Sequence, residues 1–257
     1  MRPETHFVVS NPAGRPALLL LHPMGANHHF WDACTRIWSE RFQVVACDLR
    51  GAGQSPVPDR PWKVEDHVRD IIAIREHLGL SSVVPIGCAV GSLIAASYAA
   101  ADAPHVSALV LSNTAPRLGA ESRARAEKRV ALVRRNGIGA LLPDVVDLAF
   151  SQQPRDARYL GYMEMFRGNN PNGYAAIALG MIGTDVSAAL SAITCPSLVM
   201  VGAHDRLLPP GLSRAVHEML RGSEFEILEH AAHFAPYQDP EIFSARVNDF
   251  LRRKGIA

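Results

Sequence analysis

Residues able to do chemistry gather at four places in the chain. Ala203-His204-Asp205 follows one apolar run and offers a carboxylate; Glu229-His230-Ala231-Ala232-His233-Phe234 follows another and offers an imidazole. The third place, Ile86-Gly87-Cys88-Ala89-Val90-Gly91-Ser92, has the Gly-x-nucleophile-x-Gly form of a sharp strand-to-helix turn. Such a turn lifts its middle side chain above a sheet. The helix behind it points a positive amino end at the same spot, so the backbone N–H of Val90 can hold a developing oxyanion. Fourth, Leu21-His22-Pro23-Met24-Gly25 follows a strand-like run and offers a second N–H of this kind, that of Met24. A carboxylate (Asp205) that orients a histidine (His233), which in turn takes a proton from a nucleophile, is the chemistry of acyl transfer. Nucleophile, acid, histidine is the order found here.

The middle position of the turn is Ala89, which has nothing to attack with. Three readings of it stand side by side. In the first, alanine is an engineered replacement of a serine and the site binds substrate without turning it over; losing a triad nucleophile costs on the order of 10⁶ in turnover. In the second, the alanine is natural, and the protein binds its ligand or uses His233 to activate water directly. In the third, Cys88 attacks after a local shift, which puts Ile86 and Val90 where the glycines belong. The first is preferred, because the turn, acid, histidine and oxyanion loop are otherwise whole.

These groups need a scaffold, and the hydropathy pattern supplies one. Short apolar runs at Phe7–Ser10, Ala17–Leu21, Gln43–Cys47, 83–86, 108–112, Ser197–Gly202 and Glu224–Leu228 read as strands. Several are apolar throughout, as parallel strands covered on both faces must be. Helical periods lie between them. Val64, Val68, Ile71 and Ile72 share a face ahead of the capping Gly79, and Phe243, Val247, Phe250 and Leu251 form a similar face near the end. Alternation of this kind predicts an α/β fold with a mostly parallel, doubly wound sheet. Between about 115 and 192 only helical patterns occur. That stretch is expected to be a helical cap inserted after the strand ending near Ser112, over the carboxyl ends of the strands where open α/β sheets bind ligands. Residues 1–114 and 193–257 then form the core.

Composition excludes several classes. The 26 basic and 25 acidic side chains of the 257 residues almost cancel, so no nucleic-acid partner is expected. The longest apolar run, 86–101, is broken by Gly87, Gly91 and Ser92 and is too short to span a membrane. The opening Met1-Arg2-Pro3-Glu4-Thr5-His6 has no apolar signal core, and Cys34, Cys47, Cys88 and Cys195 have no zinc spacing. A cytoplasmic, reduced protein is the expectation. His230 and His233 lack a third ligand, so no metal is expected, and no cofactor. Nothing in the sequence sets an oligomeric state.

Taken together, these motifs resemble the α/β hydrolases and, within them, the 3-oxoadipate enol-lactonases. The resemblance runs through His22-Pro23-Met24-Gly25 with Trp31-Asp32, the turn Asp48-Leu49-Arg50-Gly51-Ala52-Gly53-Gln54-Ser55, and Leu109-Val110-Leu111-Ser112-Asn113-Thr114-Ala115. It continues through Asn172-Gly173-Tyr174, Gly202-Ala203-His204-Asp205 and Ala231-Ala232-His233. It implies a cofactor-independent hydrolase of a small carboxylic ester or lactone in aromatic-compound degradation. Serine in the family stands where Ala89 stands here, with His233 as base, Asp205 as its orienting acid, and Met24 and Val90 as oxyanion donors. A non-hydrolytic ligand-binding or sensor protein, or a hydrolase of C–C or amide bonds, fits the same motifs.

Other residues are candidates for contact with substrate. His28 and His29 follow the oxyanion loop and could meet a carboxylate, or could brace the loop. Trp31 reads as packing or as a pocket wall. Arg134 belongs to a stretch rich in basic residues between Arg117 and Arg135, which could attract an anionic substrate or serve as a solvated helix face. Tyr162 and Phe166, with Tyr159, Met163 and Met165, read as the cap side of a pocket or as ordinary core. Asp48 and Arg50 read as braces of a turn.

Overall fold

Five runs of four to six uncharged residues lie buried along their whole length, with neither side in water. They are β2 (Ala17–Leu21), β3 (Gln43–Cys47), β4 (Val83–Cys88), β5 (Leu109–Ser112) and β6 (Ser197–Gly202). β1 (Phe7–Ser10), uncharged as well, and the acidic β7 (Glu224–Leu228) are half-exposed and take the two edges. The computed structural model describes residues 3–57 and 59–256, with Glu121 as backbone only; Met1, Arg2 and Ala257 lie outside the described residues.

The seven strands form one sheet in the order β1-β3-β2-β4-β5-β6-β7. Only β1 runs antiparallel, pairing Phe7 with Cys47 and Ser10 with Val44. All other pairs are parallel, so the expected architecture is the observed one. The strand positions expected from the sequence match closely: β4 continues two residues further, to Cys88, and β5 starts one later, at Leu109.

Side chains alternate across the sheet with the period of two that a strand imposes. Leu18, Leu20, Val44 and Ala46 face Trp38 of α1 (Asp32–Trp38) and, from the carboxyl-terminal helix, Phe243 and Phe250. Leu19, Leu21, Val45 and Cys47 face Val68 and Ile71 of α2 (Val64–His77) and Leu93 and Ile94 of α3 (Val90–Ala101). Each of these buried aliphatic side chains contributes roughly 1.5–3 kcal/mol. The result is two cores, one on each face.

Between β5 and β6 come α4 (Ala120–Asn136), α5 (Asp144–Ala149), α6 (Ala157–Arg167), α7 (Pro171–Gly180) and α8 (Ser187–Ala192). Among the described residues no strand interrupts them, as the sequence led one to expect. The chain resumes the sheet at β6 and closes with α9 (Pro210–Met219), β7, α10 (Ala235–Gln238) and α11 (Pro240–Arg253). Among the described residues no helix is long and apolar enough to cross a membrane.

The tightest packing lies where β4 turns into α3. A Cβ on Gly87 would come within 2.3 Å of the Gly91 carbonyl oxygen, and one on Gly91 within 2.1 Å of the Leu21 carbonyl oxygen. Neither neighbour can move, because both are backbone. Gly91→Ala is therefore expected to destabilise the protein by about 3 kcal/mol or more, at the upper end of overpacking costs. Gly211→Ala, where α9 leaves open space, is expected to be neutral or up to about 1 kcal/mol stabilising. Urea unfolding of the two variants beside the parent checks the contrast.

Candidate active site

Every polar group singled out in the sequence as possible catalytic machinery leaves the carboxyl end of a strand. β2 runs into Met24, β4 into Ala89, β6 into Asp205 and β7 into His233. In the order of this sheet β2 and β4 are adjacent, with β3 reached on the other side of β2. Their two loops therefore open side by side at a topological switch point.

Asp205 is 3% exposed, and a buried carboxylate needs its lone pairs filled. Oδ1 accepts from the backbone N–H groups of Leu207 (2.8 Å) and Leu208 (2.9 Å). Oδ2 accepts from His233 Nδ1 (2.8 Å) and Asn113 Nδ2 (2.9 Å). Burial alone would raise this carboxyl. The charge and hydrogen bond of His233, with the bonds from Asn113 and Leu208, outweigh it and hold the group below the ordinary carboxylate range. An ionised partner only accepts, so Nδ1 carries the ring proton and the lone pair of Nε2 is left for the pocket.

The imidazole is held from behind as well. The Ala232 carbonyl accepts from Asn113 Nδ2 (2.8 Å), and the Ala232 N–H donates to Gln238 Oε1 (2.8 Å). The His233 N–H donates to the Ala149 carbonyl at the end of α5 (3.1 Å), which also accepts from Gln238 Nε2 (3.0 Å). Asn113 and Gln238 were not found from the sequence. Asn113 stood there within the Leu109–Ala115 motif with no role given to it, and no local signal marks Gln238.

Ala89 has φ +51° and ψ −114°, a conformation that L residues avoid at a cost of about 1–3 kcal/mol. Its N–H donates to the Ser112 carbonyl (2.9 Å). The fully buried Ser92 hydroxyl lies 2.7 Å from the Gly87 carbonyl and 2.9 Å from that of Ser112, and accepts from the Ser112 N–H at 3.1 Å. The turn keeps its strained form with a methyl at its apex. Neither the Met24 N–H nor the Val90 N–H has a protein acceptor among the described residues.

Met24, Ala89, Val90 and His233 line one cavity of about 130 Å³. Its walls are apolar, and Tyr162 and Phe166 of α6 line it as expected, with Tyr174 of α7. Tyr162 stacks near Phe234 (4.5 Å between centroids) within a cluster that includes Phe30, Phe150 and Tyr237. Tyr159, Met163 and Met165 are not part of the lining.

Four expected contacts are corrected by the structure. His28 is buried away from the cavity, its backbone N–H and Nδ1 both given to Asp48 Oδ1 (2.7 and 2.9 Å). His29 is exposed beside Asp32. The short turn that carries them sends Trp31 into the core, against Trp38 and Phe243. Arg134 is exposed and outside the lining, whereas Arg123, Arg125 and Arg129 contribute to it. Arg134 lies five residues beyond Arg129, about 140° around α4 and about 7.5 Å further along it. The basic stretch is thus divided between the cavity and solvent.

The other polar clusters are closed on themselves. His6, His28 and Asp48 bring three potential metal-ligand atoms within 4.8 Å of one another. Both imidazoles there spend Nδ1 on Asp48, which also accepts from the Gln54 N–H. Arg50 forks onto Asp70 (2.7 Å twice) and stacks on Trp62, bracing the turn after β3. Cys88 points into the core with its sulfur near the His233 carbonyl, and burial pushes its thiol well above the usual range. It does not line the cavity.

Comparison with known proteins agrees with this fold. Residues 16–240 match the model of a family described as alpha/beta hydrolase fold. The chain belongs to that family. It is similar to 3-oxoadipate enol-lactonase 2 of Acinetobacter baylyi, 25% identical over 96% of this chain and 93% of that one. It is as similar to a pimeloyl-[acyl-carrier protein] methyl ester esterase of Neisseria meningitidis, 25% identical over 94% and 95%. Among solved structures, a thermophilic esterase from Thermogutta terrifontis superposes with a TM-score of 0.89 at 27% identity, over 97% of this chain and 93% of that one. The enol-lactonase from Burkholderia xenovorans shares the fold at a TM-score of 0.91 and 24% identity, over 96% of each chain. Hydrolase-fold relatives thus cover nearly the whole sequence.

The lowered Asp205 carboxyl fixes the sign of a pH effect. A depressed folded-state value adds stability above the unfolded value near 3.8, and that stability is lost as pH falls through the folded value. Asp205→Asn is therefore expected to flatten the acid side of the stability profile below about pH 4. Urea unfolding from pH 2 to 7 on both chains checks it; equal slopes would contradict the assignment.

Proposed function

We propose that the site is built to hydrolyse a small carboxylic ester or lactone by a serine-type mechanism, with Ala89 at the nucleophile position of a chain that is itself inactive. The observation that supports this reading is the Asp205–His233 contact opening onto the same cavity as the Ala89 turn. With a serine there, His233 Nε2 takes the hydroxyl proton as the oxygen attacks the carbonyl carbon. The Met24 and Val90 N–H groups receive the oxyanion, and His233 then protonates the leaving oxygen. Water enters by the same route and releases the acid. Asp205 keeps the ring in the right tautomer and stabilises the imidazolium. No atom in this exchange has to come from a cofactor.

Residues 115–192 act in this reading as a cap that sets the substrate. Its apolar wall and the arginines at positions 123, 125 and 129 suit a compact, apolar substrate with an anionic group. Enol-lactones of aromatic breakdown fit that description, and the Acinetobacter baylyi relative supports the choice. The unpaired cysteines are consistent with work in the cytoplasm.

A second reading is favoured by Ala89 itself: the strained turn persists with no hydroxyl to present, as it would in a protein that only binds its ligand. Ala89→Ser separates the two. If the site is a hydrolase, the serine chain should gain on the order of 10⁴-fold or more in kcat/KM against a panel of esters, lactones and enol-lactones. Adding Cys88→Ala should leave that gain within about threefold. The products should be an acid and an alcohol or enol, which excludes amide and C–C cleavage. A folded serine chain with no gain would overturn the hydrolase reading.

A further inference from the structure

We infer that, with alanine at position 89, the cavity is a receptor for free monocarboxylates. This rests on the reading of Met24, Val90 and His233 as an oxyanion and imidazole set, and adds what that set does when the nucleophile is missing.

An acyl-serine places two oxygens on one carbon, the carbonyl oxygen between the backbone donors and the serine oxygen beside the imidazole. A free carboxylate also has two oxygens on one carbon. In a serine enzyme the product acid cannot use both places, because Oγ already fills the second. The Ala89 methyl leaves that place open. One carboxylate oxygen can then accept from the Met24 and Val90 N–H groups while the other meets His233 Nε2. A single proton, taken up from solvent on binding, is held between the ring nitrogen and the carboxyl, and no covalent bond forms between ligand and protein.

Two further observations point to a ligand. His233 is only 7% exposed, yet its Nε2 has no protein partner and the residue lines the cavity. The Tyr162 hydroxyl, on a side chain 1% exposed, lies in the same lining and also lacks any partner. A buried hydroxyl left without a partner is uncommon and costly, and an acid seated on the Val90 end of α3 would give the lone pair of the imidazole Nε2 a donor. The helix amino end adds its positive field. Leu93, Phe166, Leu208 and Phe234 would enclose the apolar body of the acid. Because Arg123, Arg125 and Arg129 also line the cavity, the approach favours anions.

Calorimetric titration with hexanoate and phenylacetate tests this, with hexanol and 2-phenylethanol as neutral controls. The acids are expected to bind the present chain at least tenfold more tightly than they bind Ala89→Ser, and at least tenfold more tightly than the alcohols bind either chain. In ¹⁵N spectra, hexanoate should move the His233 Nε2 resonance and the Met24 and Val90 amide resonances. That readout holds even if the serine chain folds poorly. Equal acid affinity for the two chains would overturn the proposal. So would acid binding that survives His233→Ala but is lost in Arg129→Ala, since the anion would then sit at the arginines. Ester hydrolysis gained by Ala89→Ser with no acid binding by the alanine chain overturns the receptor alone. Acid binding without any such gain supports the receptor and overturns the hydrolase reading.

Discussion

Taking a carboxylate out of water costs several kcal/mol unless its oxygens are filled, and at Asp205 the filling is drawn from separate parts of the chain. Two donors come from the loop after β6, one from Asn113 beyond β5, and one from the imidazole beyond β7. These groups must therefore converge for the fold to tolerate the charge at all. The same convergence sets the tautomer of His233 and turns Nε2 to the cavity. Charge satisfaction and ring orientation are one arrangement here.

A second constraint acts on the opposite wall. The turn at Ala89 exists because α3 lies too close to β4 for a side chain at position 87 and too close to β2 for one at position 91, and because Ser92 ties the ends of β4 and β5 together. Neither cause involves the residue at the apex. That is why the strained φ survives the absence of a hydroxyl, and why the two backbone donors beside it remain without acceptors. Much of the geometry suited to an oxyanion is a property of the scaffold.

The sequence made the scaffold legible for plain reasons. Interior parallel strands must be apolar on both faces, so β2 to β6 stand out as uncharged runs, and their absence between 115 and 192 marks the inserted helices. The glycines at 87 and 91 and the carboxylate and imidazole after β6 and β7 sit at fixed offsets from strand ends. Side chains beyond those offsets were less legible. His28 and Trp31 follow the oxyanion loop, but a short helical turn sends both away from the cavity, a matter of local rotation. Arg129 and Arg134 are chemically alike and differ in their place along and around α4. Asn113 works through Asp205 and Ala232, 92 and 119 positions away, and Gln238 joins residues 232 and 234 to Ala149, 89 positions away, so no short-range pattern encodes them.

The main chain of His233 hangs from a carbonyl of α5, and Gln238 grips that same carbonyl. The roof over the cavity and the ring beneath it are thus fastened together. Replacing the helices between β5 and β6 to change ligand preference would not be a free exchange of parts. Any graft would have to bring an oxygen to the place where Ala149 now offers one, or the imidazole would lose a tether while every residue of the set remained in the chain.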